Sequence, residues 1–113
     1  MTKGTIVLTQ FPFTNLSTIK RRPAVIVSSS EKTGDDIVVA FISSKITEPI
    51  KETDCVLDTN HPDFMGTGLK KNSILKMDKL VTIEKRIIVG EIGRVSKAIL
   101  HELDKKLRLT FGL

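Results

Sequence analysis

The sequence predicts a mainly β fold: a small, partly open β-barrel packed against one C-terminal α-helix. Several short runs of β-branched residues alternate with turn residues, and the hydrophobic period becomes helical only near the C-terminus. With 113 residues, of which 40% are hydrophobic, the chain is long enough for one modest core and too apolar to be disordered. We therefore expect a single domain over residues 1–113.

Strands are expected wherever Val, Ile and Thr cluster between turn residues. The run Ile37–Ile42 is apolar almost throughout, which is typical of a central strand. The segment 58–72 is predicted to be a long loop. Loops of that length in small domains are usually functional or mobile, and this one is a candidate gate to a groove. The predicted strands are Thr5–Thr9, Ala24–Ser28, Ile37–Ile42, Thr53–Leu57, Ser73–Met77, Leu80–Ile83 and Ile87–Ile92.

The C-terminal segment carries the one helix that the pattern predicts. Ser96 is suited to its N-terminus because a hydroxyl oxygen at that position accepts a hydrogen bond from a free backbone N–H. Gly112 ends the pattern, as glycine often does after a helix. The apolar residues that recur at helical spacing are Ala98, Leu100, Leu103, Leu107 and Phe111.

The charge balance favours an anionic partner. Lys and Arg outnumber Asp and Glu by 18 to 13, so the net charge is +5. Nucleic acid, an anionic membrane surface or an acidic protein would suit such a surface, although many small proteins are basic for solubility alone. Cys55 is the only cysteine, so we expect no disulfide within the chain and a partly buried, unreactive thiol. The sequence has neither a secretory leader nor a membrane-spanning apolar run, which favours a cytosolic protein.

Residues that usually hold metals or cofactors form no recognisable motif. His61 and His101 are the only histidines, and their spacing to carboxylates and to Cys55 matches no zinc or calcium site. Gly66-Thr67-Gly68 lacks the spacing of a nucleotide-binding loop, and no serine stands in a nucleophile elbow. We therefore predict no metal and no cofactor.

The run Lys20-Arg21-Arg22-Pro23 is the strongest candidate for a binding site. Proline restricts the backbone of the preceding arginine to extended conformations, and an apolar strand follows immediately. We therefore expect a cationic loop held at the rim of the sheet. Arginine makes bidentate contacts with phosphate and stays charged at every physiological pH.

Ser43 and Ser44 follow the third predicted strand. If the second and third strands are antiparallel neighbours, Arg22 and Ser43 lie at the same rim and can converge on one phosphate. Attack of an RNA 2′-OH on the adjacent phosphorus needs no metal, provided that the protein stabilises the phosphorane oxygens and moves the protons. The simpler interpretation is an arginine in a surface ion pair and a serine that only ends a strand.

Four segments together resemble the MazF/PemK-type toxins of type II toxin–antitoxin systems. Singly these motifs are weak, but their order and spacing are preserved across nearly the whole chain. The segments are Lys3–Leu8, Arg22–Ser28, Val39–Ser44 and Asn72–Ile83.

The resemblance implies an SH3-like barrel with a C-terminal helix, usually a homodimer. Members of the family cleave single-stranded RNA without a metal, and an antitoxin, expected here to be acidic, covers the active groove. Carried over by position, Arg22 and Ser43 match the family's catalytic residues. The predicted RNA-binding residues are Ser17, Thr18, Lys20, Arg21, Ser44 and Lys79.

One departure from the family keeps two alternatives open. The acidic residue that some relatives carry before the Arg-Pro pair is missing, and Ser17 or Thr18 stands near its place. A nucleic-acid-binding barrel without catalysis is therefore one alternative. The other is a non-enzymatic toxin similar to the gyrase poison CcdB, although the C-terminus Leu109–Leu113 differs from the aromatic end that such poisons use.

Overall fold

A computed structural model describes residues 1–11, 20–29 and 34–113. Within these ranges the chain forms six strands and one long helix, α1, with two short 3₁₀ turns at Met65–Thr67 and Lys85–Ile87. The strands are β1 (Thr5–Phe11), β2 (Lys20–Ile26), β3 (Asp36–Ser43), β4 (Asp54–Leu57), β5 (Ser73–Glu84) and β6 (Ile88–Arg94), and α1 is Lys97–Phe111.

The six strands form one antiparallel sheet in the order β4-β5-β3-β2-β1-β6. Among the described strands, β4 and β6 pair with only one neighbour each, so the sheet is not closed. The predicted class, a mainly β and partly open barrel with a C-terminal helix, is confirmed.

The second strand begins earlier than the sequence predicted. Lys20–Arg22, expected in a loop, pair with β1 in the register Thr9–Arg22, Gln10–Arg21 and Phe11–Lys20. Pairing with β3 begins only at Ala24. Pro23 lacks an N–H and is tolerated because this end of β2 has no recorded partner on the β3 side. The cationic run is therefore part of a strand that extends beyond its neighbour.

The predicted strands Ser73–Met77 and Leu80–Ile83 are one strand, β5, with an irregularity inside it. Phe41 of β3 pairs with Lys76, whereas the preceding residue, Ala40, pairs with Leu80. Residues 77–79 therefore form a bulge, which lets a single strand bend sharply. Asp78 and Lys79, the polar pair that interrupts the apolar pattern, lie in this bulge and do not end a strand.

Side chains on the two faces of the sheet form two clusters. Val7, Ala24 and Val39 belong to the cluster on one face. The other cluster lies between the sheet and α1, where Ile99 and Leu103 of the helix are buried. Ser96 caps α1 as predicted, because its Oγ accepts a hydrogen bond from the Ile99 N–H at 3.2 Å. Gly112 ends α1 in the left-handed conformation, with φ of 69°.

The segment 58–72 is packed against the fold. Phe64 and Thr67 are buried, and the Ser96 hydroxyl donates a hydrogen bond of 2.7 Å to Asp63. Thr67 and Gly68 lie against the backbone of Ile92 and Gly93 in β6. The segment connects β4 to β5 and contacts β6, so it links the two edge strands of the sheet, β4 and β6.

Two further expectations concern the environment of Cys55 and membrane-spanning helices. Cys55 is partly buried, and this burial raises the pKa of its thiol, so the thiolate is disfavoured. Within the described ranges, no helix is long and apolar enough to cross a membrane.

Candidate functional site

A groove of about 520 Å³ lies at one end of the sheet. Residues of three segments line it: the beginning of β2, the end of β3, and the chain that leads into β5. The described lining residues are Lys20, Arg21, Arg22, Pro23, Ile42, Ser44, Leu69, Lys70, Lys71 and Ser73.

Strand order explains why these segments meet. β3 lies between β2 and β5 in the sheet. Ser43, the last residue of β3, pairs with Ile74 near the beginning of β5. The ends of β2 and β5 that flank this part of β3 therefore form the two sides of the groove, with Ile42 and Ser44 between them.

Charge is the dominant property of the groove. Five of its lining residues are Lys or Arg, and the described lining contains no carboxylate. The ion pairs that the described residues form lie elsewhere, for example Lys3–Asp104 at 2.8 Å and Arg86–Glu84 at 2.5 Å. The described part of the protein thus leaves all five groove cations without an ion-pair partner. Such a cluster is stabilised by a bound anion.

Register places Arg22 and Ser43 at the same end of the sheet and on the same face. The last recorded pair between β2 and β3 is Ala24–Phe41. Arg22 and Ser43 each lie two residues beyond that pair, and side chains two apart on a strand share a face. The antiparallel pairing on which the predicted convergence depended is therefore present.

The Ser43 hydroxyl is held by the turn that follows β3. Its oxygen accepts a hydrogen bond from the Lys45 N–H at 3.1 Å and donates one to the Lys45 carbonyl at 3.3 Å. Ser43 is half-buried and is not among the described lining residues, whereas Ser44 is. A ligand would have to replace this local bond in order to engage the hydroxyl.

The other predicted site residues fall into three groups. Lys20, Arg21 and Ser44 line the groove with Arg22. Lys79 is exposed in the β5 bulge and does not appear in the described lining. Ser17 and Thr18 lie outside the described residues.

Sequence reasoning missed Lys70 and Lys71, which supply the second cationic segment of the groove. Their signal is an adjacent lysine pair just before a strand, at the end of a long loop. Recognising it requires the order of strands in the sheet, which places the beginning of β5 beside the end of β3.

Histidines and carboxylates gather away from the groove. A second cleft of about 540 Å³, between β4 and α1, contains His61, His101, Cys55 and Glu102. In the part of the chain that is described, no three His, Cys, Asp or Glu side chains come together as a metal site would require.

The family model of PemK-like, MazF-like toxins of type II toxin–antitoxin systems matches residues 2–111. A search of curated protein sequences finds no match.

Solved structures show the same fold at low sequence identity. An endoribonuclease in complex with its cognate antitoxin from a mycobacterial species has a TM-score of 0.77 and 16% identity, with 100% of this chain and 96% of that chain covered. The Mycobacterium tuberculosis toxin MazF-mt6 has a TM-score of 0.75 and 20% identity, with 96% and 97% covered. A MazE–MazF complex from Deinococcus radiodurans has a TM-score of 0.75 and 17% identity, with 100% and 97% covered.

Proposed function

The chain belongs to the PemK-like, MazF-like toxin family of type II toxin–antitoxin systems, and from this premise we propose that it is an endoribonuclease that cleaves single-stranded RNA without a metal ion. The observation that carries the proposal is the groove with five cations, Arg22 among them, that form no ion pair within the described residues. An extended polyanion would neutralise these cations, and a single RNA strand is such a polyanion.

In the proposed reaction the 2′-OH of the substrate is the nucleophile. Its oxygen forms a bond to the adjacent phosphorus while the bond from phosphorus to the 5′-oxygen breaks. The 2′-OH loses its proton and the 5′-oxygen gains one, so the products are a 2′,3′-cyclic phosphate and a 5′-hydroxyl. The Arg22 guanidinium stabilises the negative charge that develops on the phosphorane oxygens.

Ser43 is proposed to position the scissile phosphate. Its hydroxyl would exchange the bond to the Lys45 carbonyl, 3.3 Å long in the free protein, for one to a phosphate oxygen. Lys20, Arg21 and Ser44 would hold neighbouring phosphates along the groove. Ser17, Thr18 and Lys79 are proposed as further RNA contacts.

The proposed protein partner is an acidic antitoxin. Two of the similar structures are complexes, one named as an endoribonuclease with its cognate antitoxin and the other as MazE–MazF. An extended acidic segment would suit the same cations as RNA and would thereby exclude the substrate. We further propose that the toxin acts as a homodimer in the cytosol, where messenger RNA is available.

Cleavage of single-stranded RNA in the presence of EDTA tests the proposed function. We expect the wild-type protein to leave 2′,3′-cyclic phosphate ends, and Arg22→Ala to lower the rate by roughly a hundredfold or more, as loss of one charge-stabilising group does in other enzymes. Arg108→Ala is the matched control because Arg108 is exposed on α1 and does not line the groove.

Two results would contradict this proposal. A wild-type protein that cleaves no RNA would remove the nuclease function, and an Arg22→Ala variant with the wild-type rate would remove the site assignment. Binding without turnover would identify a nucleic-acid-binding barrel. That alternative is supported by the sequence before Pro23, because residues 12–22 contain neither Asp nor Glu.

A further inference from the structure

We propose that Lys70 and Lys71 form a second phosphate-binding side of the groove, which holds the RNA at phosphates flanking the one bound by Arg22. This inference rests on the proposed nuclease function and adds residues to which neither the family resemblance nor the sequence pattern assigned a role. The order of strands carries it, because Lys70 and Lys71 lie on the β5 side of β3 and the cationic end of β2 lies on the other side.

The backbone around the two lysines is fixed at both ends. Before them, Leu69 packs against the core and its N–H donates a hydrogen bond of 3.2 Å to Thr67 Oγ1. After them, the Asn72 side chain accepts a hydrogen bond of 2.8 Å from the Thr59 N–H. The Ser73 hydroxyl also donates a bond of 2.8 Å to the Lys71 carbonyl, and Ser73 is buried.

A fixed backbone with free side chains suits phosphate binding. Lys70 and Lys71 are both exposed, and neither makes an ion pair within the described residues. Because the backbone is already held in place, only the side-chain stems of the two lysines must become ordered on binding. The pair is therefore prepared for an anion that reaches across the groove from Arg22.

Cations on both sides of the groove suggest the path of the RNA backbone across it. A strand whose phosphate lies at Arg22 would reach Lys70 and Lys71 only with phosphates further along its backbone. Lysine contacts phosphate as a point charge and reads no base, so the pair would strengthen binding of every sequence equally. We expect the lysines to determine the affinity for RNA, while Arg22 determines the rate of the chemical step.

Binding to a single-stranded 2′-O-methyl oligonucleotide tests the inference, because such a strand has no free 2′-OH and cannot be cleaved. Each phosphate contact to a single strand contributes about 0.7 to the slope of log K against log salt concentration, so Lys70→Ala/Lys71→Ala should reduce that slope by about 1.4. Lys105→Ala/Lys106→Ala removes the same charge from an adjacent pair on α1 and should leave the slope unchanged. Lys70→Arg/Lys71→Arg should restore the wild-type slope.

Kinetics on cleavable RNA separates binding from chemistry. In Lys70→Ala/Lys71→Ala we expect KM to rise by roughly tenfold and kcat to change by less than about twofold, since a phosphate contact outside the reacting atoms binds the ground state and the transition state alike. A merely structural role would lower kcat as well as raise KM, and arginine at the two positions would not restore either parameter.

Several outcomes would overturn the inference. Equal salt slopes for the two double-alanine variants would show that only the total charge matters. Weaker binding of an acidic peptide with unchanged binding of the oligonucleotide would assign the lysines to a protein partner. If the wild-type protein fails to cleave RNA but the slope still falls by about 1.4, the nuclease proposal fails and the phosphate contacts stand.

Discussion

The position of Arg22 and Ser43 at the same end of the sheet could be predicted from the sequence because residue type and local pattern were both informative. Pro23 fixes Arg22 in an extended backbone, and Ser43 ends a run that is apolar almost throughout. The antiparallel pairing of β2 with β3 then places both residues two positions beyond Ala24–Phe41. What no pattern could provide was the local bond from Ser43 to Lys45, because the conformation of a turn depends on its surroundings.

Gly93 shows how strongly a single side-chain atom can matter. A Cβ built at Gly93 would lie 2.4 Å from the carbonyl carbon of Thr67, and backbone atoms cannot move aside easily. We therefore expect Gly93→Ala to destabilise the protein by about 3 kcal/mol, as overpacking of a close contact does. Urea unfolding of the variant and the wild type measures the difference.

Gly90→Ala is the matched control for Gly93→Ala because both glycines lie in β6. A Cβ at Gly90 would meet nothing within 4 Å. Its cost should stay below about 1 kcal/mol and can be negative, since alanine loses less backbone entropy than glycine on folding. Similar costs for the two variants would mean that the segment 58–72 does not pack on β6 as described.

Individual elements could be predicted where hydrophobic pattern and backbone geometry agree. α1 is an example, because Ser96 and Gly112 mark its ends and Ile99 and Leu103 are buried. The beginning of β2 is the opposite case. Three consecutive cations are not a sequence pattern that predicts a strand. Lys20–Arg22 are part of β2 because β1 continues to Phe11 and supplies their backbone partners.

The bulge in β5 is stabilised by contacts from distant parts of the chain. Asp78 lies in it, and the Lys51 ammonium binds this carboxylate at 2.7 Å. The Thr110 hydroxyl of α1 donates a hydrogen bond of 3.1 Å to the carbonyl of Met77. The sequence marks a polar interruption at this point, but the contacts that convert it into a bend come from residues about 30 positions away.

The ion pair at the bulge should make stability depend on pH in acid. The hydrogen bond from Lys51, with its charge, holds the pKa of Asp78 below its ordinary value. Because that pKa is lowered by folding, the stabilisation is present above the ordinary carboxyl pKa and is lost as the pH falls through the lowered one. Lys51→Met should therefore be slightly less stable than the wild type at neutral pH, and the difference should vanish in acid.

Thermal unfolding of Lys51→Met and the wild type from neutral to acidic pH measures this effect. It should be small because both side chains are partly exposed and solvent screens the pair. Lys45→Met is the control, since Lys45 is exposed and forms no ion pair among the described residues. A difference between Lys51→Met and the wild type that persists in acid would mean that lost packing, and not the ion pair, is responsible.

At the scale of the whole molecule, the groove is a product of strand order. Lys20–Arg22 and Lys70–Lys71 are about 50 residues apart in the chain, and they meet because β3 lies between β2 and β5. Hydrophobic periodicity indicates where strands are but contains no information about which strands are neighbours. For that reason one cationic segment could be predicted from the sequence and the other could not.

The accumulated charge of the groove leads to a prediction about the proposed antitoxin. If an acidic segment and RNA compete for the same cations, Arg21→Ala/Arg22→Ala should weaken binding of both, and binding of both should decrease as salt is raised. Removal of charges at the edge of the groove should lower the association rate constant by a larger factor than it raises the dissociation rate constant. The reason is that exposed charges act mainly by steering the partner toward the groove. Lys105→Ala/Lys106→Ala, with the same change in net charge, should leave both affinities close to those of the wild type. An acidic peptide that binds Arg21→Ala/Arg22→Ala as tightly as the wild type would mean that the antitoxin inhibits from another surface.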